Sequence, residues 1–435
     1  MTNAASSGWL LDQEARALLV RLTQVRPLAL SETMVPAAAL PAQAAVQIER
    51  FLHEGRVVLK AQVRDYLRWL EGPGRAAGPQ EQQYRFVLLR LRFNQILSQF
   101  DTFSAVQTQR SDSRTGPWLA GLDVLASDAL SVTPWVPDPP ELVCYLARGP
   151  GAAIRRAKTR MPGGDPSPVA VIRIPRERMV GHGIASSLVH EVGHQAAALL
   201  GLVESLREEV ARHRPVGGGG QRVWADLYSW ISEIVADLYS VATLGISSTL
   251  GLLAVVSLPR YFVFRPSDGD PHPTPYLRVL LSCAIGDELY PHPQWADMAD
   301  TWRGMYPVDG LPRSRQAELR AIEEQVGPFT RLLVEHRSDA LHGHSLRESF
   351  PLAERRPERL LATFDGWAGD LGAMARQPPS LVFAATGQGR VAGRITPAQE
   401  SRLLSTLLEA WALRSRLDTD QRSARPRTRP LRRVA

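Results

Sequence analysis

The segment His190-Glu191-Val-Gly-His194 places two imidazoles four residues apart, with a carboxylate directly after the first. Residues four apart lie on one face of a helix, so both imidazoles can bind one metal ion. Glu191 can then reach a water molecule on that metal, which is the smallest unit of a zinc hydrolase. The alternative is a buried helix whose histidines only complete hydrogen bonds, but burying two His and a Glu without a ligand is costly.

The flanking sequence predicts the elements that carry this segment. Residues 169–175 (VAVIRIP) are rich in β-branched side chains and end in proline, which predicts a strand. A turn at 181–183 follows, and Ser186 or Ser187 is expected to cap the next helix. Apolar residues then recur at helical spacing through 188–200, so the expected order is strand, turn and metal-binding helix.

A catalytic zinc ion needs a third protein ligand, with its fourth position open to water. Glu233 is the best candidate, because Ser232-Glu-Ile-Val-Ala-Asp237 places two carboxylates on one helical face. Asp237 would then accept a hydrogen bond from the far nitrogen of a zinc-bound His and fix its tautomer. His213 and Glu204 remain as competing third ligands on poorer spacing.

A further polar segment lies at residues 270–278 (DPHPTPYLR). Together, H-E-x-G-H, E-x-x-A-D and H-P-x-x-x-x-R resemble the motifs of gluzincin metallopeptidases, in particular the CAAX prenyl proteases and the HtpX-like membrane quality-control peptidases. The resemblance covers residues 186–280. It implies that His190, His194 and Glu233 are the zinc ligands and that Glu191 is the catalytic base. It also implies that His272 and Arg278 lie near the cleft.

The chain departs from that family in two respects. Val235 stands where members often carry a second acidic residue, and the membrane-spanning helices of the membrane-bound members are missing. The stretch 238–259 has no charged residue, but it contains several Ser and Thr and two Gly. Two short buried helices joined by a turn are therefore expected there, rather than a transmembrane span.

These residue types predict a mechanism of peptide hydrolysis. Zinc lowers the pKa of its bound water to about 7 and polarises the scissile carbonyl. Glu191 takes the proton during attack and passes it to the leaving amine. A second donor must stabilise the tetrahedral oxyanion, for which His272 is the candidate and Arg278 or Tyr276 the alternatives. The strand at 169–174 could bind an extended peptide along its edge.

The 435 residues are enough for several domains. We expect an α+β, mainly helical protein with a zincin-like metallopeptidase core at 111–285. Helical N- and C-terminal regions are expected at 1–110 and 286–415, with a basic disordered tail at 416–435.

Smaller patterns refine this division. Apolar stripes within 59–70 and 86–100 are expected to be core faces. Thr396-Pro-Ala-Gln399 is a capping box that starts the last helix. Gly387 to Gly393 is expected to be a loop leading to that helix, because no βαβ context supports a nucleotide-binding loop.

The net charge of +7 is concentrated at the end of the chain, because residues 412–435 carry eight Arg and two Asp. The rest of the chain is near neutral, which argues against a nucleic-acid-binding fold. The basic tail could instead bind an acidic partner.

The N-terminus lacks a basic region before an apolar run, so a cytoplasmic location is expected, with non-classical export open. Cys144 and Cys283 do not suggest a disulfide framework. The scarcity of Lys relative to Arg indicates a GC-rich bacterial genome.

The leading hypothesis is a soluble bacterial zinc metallopeptidase that acts on a peptide or protein substrate. The alternative is a catalytically silent zincin-fold scaffold or assembly protein, with an Arg-rich tail that binds an acidic partner. Glu191 argues against the alternative, since structural zinc sites are usually closed by four protein ligands. A third hypothesis is action on nucleic acid or a membrane through the tail. The histidines at 336, 342 and 344 could bind a second metal, although a polar loop is expected.

Overall fold

The computed structural model describes residues 7–25, 27–28, 34–136, 138–148, 152–159, 166–175, 181–213, 219–266 and 269–424. The protein is 74% helical and has a small three-stranded sheet. The expectation of an α+β, mainly helical protein is confirmed. The chain forms two compact units, which are described separately.

The first unit comprises Met1–Pro117, Glu141–Tyr145 and Arg155–Val171. Its long helices are α1 (Ser7–Gln24), α2 (Ala42–Glu71) and α3 (Pro79–Thr108). The apolar stripes expected within 59–70 and 86–100 are buried, so they are core faces. Burial of aromatic side chains such as Phe93 and Phe103 supplies much of the hydrophobic stabilisation of this unit.

The sheet follows helix α4 (Thr115–Leu130) in the chain. Its strands are β1 (Leu142–Ala147), β2 (Ala153–Arg155) and β3 (Ala170–Pro175), in the spatial order β1-β3-β2. The strand expected at 169–175 is therefore confirmed as β3. It is the central strand and nearly all of it is buried, which suits its β-branched sequence.

The second unit comprises Trp118–Pro140, Leu146–Ile154 and Ile172–Ala435. Its first helices are α5 (His182–Leu199), α6 (Leu202–His213), α7 (Gly219–Ser229), α8 (Ile231–Leu244), α9 (Ile246–Val256) and α10 (Arg260–Val263). The later helices are α11 (Pro275–Leu289), α12 (Pro293–Met305), α13 (Arg313–Glu335), α14 (Pro357–Trp367), α15 (Leu371–Ala375), α16 (Pro379–Val391) and α17 (Pro397–Ala424).

Helix α5 begins one turn earlier than the sequence suggests. The prediction that Ser186 or Ser187 caps it is wrong, because Gly181 is the N-cap and both serines lie inside the helix. Gly181 has a φ of +58°, which glycine adopts without a steric penalty. A Cβ atom at this position would also lie 2.7 Å from a carboxylate oxygen of Glu400. The helix start is therefore fixed by a tertiary contact as well as by the local sequence.

Helices α5 and α8 pack closely at Gly193. A Cβ atom on Gly193 would lie 2.9 Å from the Cβ of Tyr239 and 3.0 Å from backbone atoms of Ala236. Because residue 193 has no side chain, α8 approaches α5 closely enough for carboxylates on one helix to reach imidazoles on the other.

The uncharged stretch 238–259 forms the end of α8 and all of α9. The two helices meet at Gly245, whose φ is +58°, so the prediction of two short helices joined by a turn is confirmed. Among the described residues, we find no helix whose length and hydropathy would suit a membrane span.

The C-terminal part is helical, as expected. The predicted loop at 387–393 is wrong over most of its length, because α16 continues to Val391. A Cβ atom on Gly387 would lie 2.5 Å from that of Ser247, so this glycine permits close helix packing. The capping box is confirmed, since Thr396 and Gln399 exchange hydrogen bonds at the start of α17. Helix α17 runs past the predicted boundary at 415/416, and residues 425–435 of the predicted tail lie outside the described residues.

Candidate metal centre

Three side chains from helices α5 and α8 form a group that could hold a metal ion. They are His190, His194 and Glu233, and their ligand atoms all lie within 4.8 Å of one another. Oε2 of Glu233 lies 3.3 Å from Nε2 of His190, and Oε1 lies 3.4 Å from Nε2 of His194. The carboxylate therefore faces the Nε2 atoms of both imidazoles.

The carboxylate of Glu233 is mostly buried, and its Oε2 accepts no hydrogen bond of good geometry from the described residues. A buried carboxylate oxygen without a donor is costly unless a cation compensates it. This oxygen faces Nε2 of His190, to which a cation could also bind. The donor set and the oxygen without a well-aligned hydrogen-bond donor thus both fit a bound metal ion.

Asp237 lies one helical turn after Glu233 and contacts the other side of the first imidazole. Its Oδ1 is 2.8 Å from Nδ1 of His190, so that ring directs Nε2 toward Glu233. Arg278 on α11 donates to both oxygens of Asp237, from Nε at 2.7 Å and from Nη2 at 2.8 Å. This arrangement fixes the orientation of His190, as carboxylates commonly do for metal-binding histidines.

These contacts shift the pKa values of the buried groups. Burial alone would raise the pKa of Glu233 and Asp237, but His190 and His194 lower that of Glu233, and Arg278 and His190 lower that of Asp237. Burial alone would lower the pKa of His190, but the adjacent carboxylates of Asp237 and Glu233 raise it to about 9. Without a metal, the ionised carboxylates are thus compensated by a protonated His190 and by Arg278.

His272 approaches the group from the segment before α11. Its Nε2 lies 3.2 Å from Oε2 of Glu233, while Nδ1 lies 2.8 Å from Oδ1 of Asp270. The backbone N–H of His272 donates to the same Asp270 oxygen. Although burial opposes the shift, these two bonds lower the pKa of Asp270. A carboxylate thus holds the ring of His272, which is nearly half exposed, against the candidate metal ligand Glu233.

Glu191 lines a cavity of about 210 Å³ beside the group, together with His190, Asp237, His272 and Arg278. The remaining walls carry small hydroxyl side chains and part of α9: Ser186, Ser187, Ser240, Ser248, Ser282, Gly251, Leu252 and Val255. The structure therefore brings the expected base, one of the expected ligands and the two further expected polar residues to one opening.

The other sequence candidates lie elsewhere. Tyr276 is buried and donates to Glu323 on α13, and the competing ligands Glu204 and His213 are exposed on α6. His336 is buried against Ser205 and Glu209, whereas the rings of the histidines at 342 and 344 lie against Trp135. Within the described residues, the group around Glu233 is the one found whose side chains could hold a metal ion.

Sequence reasoning missed three residues that shape the site. Gly193 allows the close approach of α8, Asp270 orients His272, and Ser187 lines the cavity one turn before Glu191. Only Asp270 gave a local signal, since an acidic residue two positions before a histidine can hold its ring.

Comparisons of the chain with protein-family models, with curated proteins and with solved structures found no match.

Proposed function

We propose that this chain is a zinc-dependent metallopeptidase with a gluzincin-like centre. The observation that carries the proposal is the convergence of His190, His194 and Glu233, with Glu191 on the adjoining cavity. Three protein ligands leave one position for water, which is typical of catalytic rather than structural zinc sites.

Zinc is the metal that suits this donor set best. Two imidazole nitrogens and one carboxylate oxygen are the ligands of many hydrolytic zinc sites. The ligand atoms of the three side chains lie within 4.8 Å of one another, so one ion could be bound between them after small side-chain adjustments. When bound, zinc would acidify a water molecule and polarise the scissile carbonyl.

The chain's own residues would move the protons. Glu191 would accept a proton from the attacking water and transfer it to the nitrogen of the leaving amine. Asp237 would hold His190 by its Nδ1 so that Nε2 stays directed at the metal. Arg278 would keep Asp237 ionised and fixed in place through its two hydrogen bonds, which makes it a positioning residue.

His272 would stabilise the oxyanion that forms as the carbonyl is attacked. Its ring borders both Glu233 and the cavity, and Asp270 holds it at Nδ1. Its Nε2 could donate a hydrogen bond to the oxyanion when it carries a proton. Arg278 is less suited to this role, because Asp237 occupies its guanidinium.

The test is a Glu191→Gln variant in a peptidase assay with a fluorogenic peptide library. Glutamine has nearly the same shape but cannot act as the base, so we expect zinc binding to be retained and cleavage to fall by about 10²–10⁴-fold. Glu204→Gln, on the exposed face of α6, is the matched control and should cleave like the wild type. Full activity of Glu191→Gln would contradict the assigned base. A wild type that binds zinc and cleaves nothing would favour the silent scaffold.

A further inference from the structure

An exposed apolar surface lies at the end of α9 and in α10. We call Val255, Leu258, Tyr261 and Phe262 the apolar lip. Tyr261 is 81% exposed and Phe262 is 47% exposed, and their rings contact each other edge to face at 5.3 Å. Large apolar side chains that are clustered and exposed indicate a binding surface more often than scattered ones do.

The apolar lip continues from the wall of the candidate active site. Leu252 and Val255, one turn apart on α9, line the cavity that contains Glu191 and His190. Val255 is also 41% exposed, so it belongs to both the cavity wall and the lip. A chain bound across the cavity could therefore extend onto the lip without crossing a charged side chain of this segment, because residues 238–259 carry none.

The cavity itself is small. Its volume of about 210 Å³ exceeds only modestly the roughly 150 Å³ of a cavity that accommodates benzene, so it can hold about one side chain beside the reacting bond. Most of the contact area for a longer substrate must then come from surfaces outside the cavity. The apolar lip adjoins the cavity and carries Tyr261, the most exposed aromatic side chain among the described residues of the second unit.

Two basic side chains that lie close to the lip in the sequence are engaged within the protein. Arg260 donates to the backbone carbonyl of Asp309 and lies over the ring of Phe264, while Arg265 is paired with Asp270. An anionic lipid surface is attracted by free Arg and Lys side chains around an apolar patch. Because Arg265 is neutralised by a carboxylate and Arg260 is held by a carbonyl and a ring, the contacts that the lip itself offers are apolar, which favours apolar side chains of a polypeptide.

We propose that the apolar lip binds apolar side chains of extended polypeptides, so that the substrate class is unfolded protein rich in apolar residues. This inference rests on the proposed peptidase function, because it assigns the lip to the substrate of that site. A short peptide would occupy the cavity alone, whereas an unfolded protein would contact both the cavity and the lip.

The experiment compares the wild type with a Tyr261→Ser/Phe262→Ser variant. The substrates are reduced, carboxymethylated α-lactalbumin, which cannot fold, and a short fluorogenic peptide. We expect KM for the unfolded protein to rise about tenfold or more, since two aromatic side chains lose their buried contacts. The kcat for this protein and the kcat/KM for the short peptide should stay unchanged. Leu413→Ser/Leu417→Ser, at exposed apolar positions of α17, is the matched control.

A binding measurement separates the lip from the peptidase activity. Both proteins carry Glu191→Gln, so that cleavage does not interfere with the binding measurement. Fluorescence anisotropy with labelled, carboxymethylated α-lactalbumin should then show the same loss of affinity when the lip residues are also substituted. Equal affinity in both proteins would overturn the inference even if peptidase activity is found. Lip-dependent binding without any cleavage would support the surface and count against the peptidase.

Two other possible occupants of the lip, a membrane and a second copy of the chain, would give different experimental results. If the lip variant binds the unfolded protein normally but loses binding to phosphatidylcholine/phosphatidylglycerol vesicles, the surface contacts a membrane and the inference is wrong. If sedimentation shows a wild-type dimer that the variant abolishes, with unchanged binding of the unfolded protein, the surface is an interface between two copies and the inference is equally wrong.

Discussion

At the scale of single residues, the candidate centre is a compact set of compensating charges. Glu233 and Asp237 are buried carboxylates, and His190 and Arg278 are the cations beside them. A buried charge persists only when it is paired and hydrogen-bonded. A divalent cation at Glu233 would replace the proton on His190, so metal binding and proton release are expected to be coupled.

This coupling predicts how zinc affinity depends on pH. In the metal-free protein the pKa of His190 is raised to about 9, so at lower pH zinc must displace a proton from it. We expect the affinity to rise about tenfold per pH unit below that value and to level off above it. Competition with a chromophoric chelator between pH 6 and 10 measures this. Asp237→Asn removes the charge that raises the pKa of His190, so the zinc affinity should level off at a lower pH. An affinity that is flat from pH 6 to 9 would disprove the coupling.

The role of His272 gives a second prediction. His272→Ala should retain zinc and lower kcat by about 10²-fold, because a donor to the oxyanion is lost. His272→Gln keeps an N–H donor and should recover part of that loss. Zinc analysis and peptide kinetics on both variants check this. Loss of zinc in His272→Ala would make the residue a metal ligand instead, and unchanged kcat would remove it from the mechanism.

At the scale of elements, the centre depends on how closely α5 and α8 approach. The glycine at 193 makes this possible, since a methyl group there would meet Tyr239 and Ala236. Small shifts between the helices would separate the imidazoles of α5 from the carboxylate of Glu233. Overpacking of a tight interface typically costs about 1–3 kcal/mol.

Gly193→Ala is therefore expected to weaken zinc binding by about tenfold or more without removing any ligand. Isothermal titration calorimetry would measure the change. The control is Gly304→Ala in helix α12, where a Cβ atom would meet nothing within 4 Å. That variant should bind zinc normally and be slightly stabilised, because alanine favours helix more than glycine does. Wild-type affinity in Gly193→Ala would show that the helix spacing does not limit the centre.

The elements also show which features could be predicted from the sequence. Helix α5, strand β3 and the α8–α9 turn follow from periodicity and glycine, which are local signals. The start of α5 was placed wrongly because Gly181 packs against Glu400, more than 200 residues away in the chain. Gly387 was assigned to a loop because a lone glycine does not reveal that it touches Ser247 on another helix. Such contacts between distant residues leave no local pattern.

At the scale of the whole molecule, distant segments of the chain meet at helix α5, which carries two of the candidate metal ligands. Glu400 at the start of α17 is buried, and its carboxylate lies 2.9 Å from Nδ1 of His182, the first residue of α5. The second compact unit therefore connects its last helix to the helix that carries His190 and His194. A ligand that binds the folded centre should stabilise this unit as a whole.

Zinc is accordingly expected to raise the unfolding temperature. A free concentration of about 100 times Kd would add about 2.7 kcal/mol of stability, which corresponds to several degrees in Tm. Differential scanning calorimetry with and without EDTA measures the shift. Magnesium should have no such effect, and His190→Ala should lose the zinc response. Equal Tm values for zinc-loaded and zinc-free wild type would contradict a folded-state metal site.

The most direct test of the central claim is the metal content of the purified protein, measured by mass spectrometry beside His190→Ala and Glu233→Ala. We predict one zinc ion per wild-type chain, and its loss or strong reduction in both variants. Zinc retained in Glu233→Ala would mean that the third ligand lies elsewhere. No metal in the wild type, even after zinc is supplied, would contradict the proposed centre.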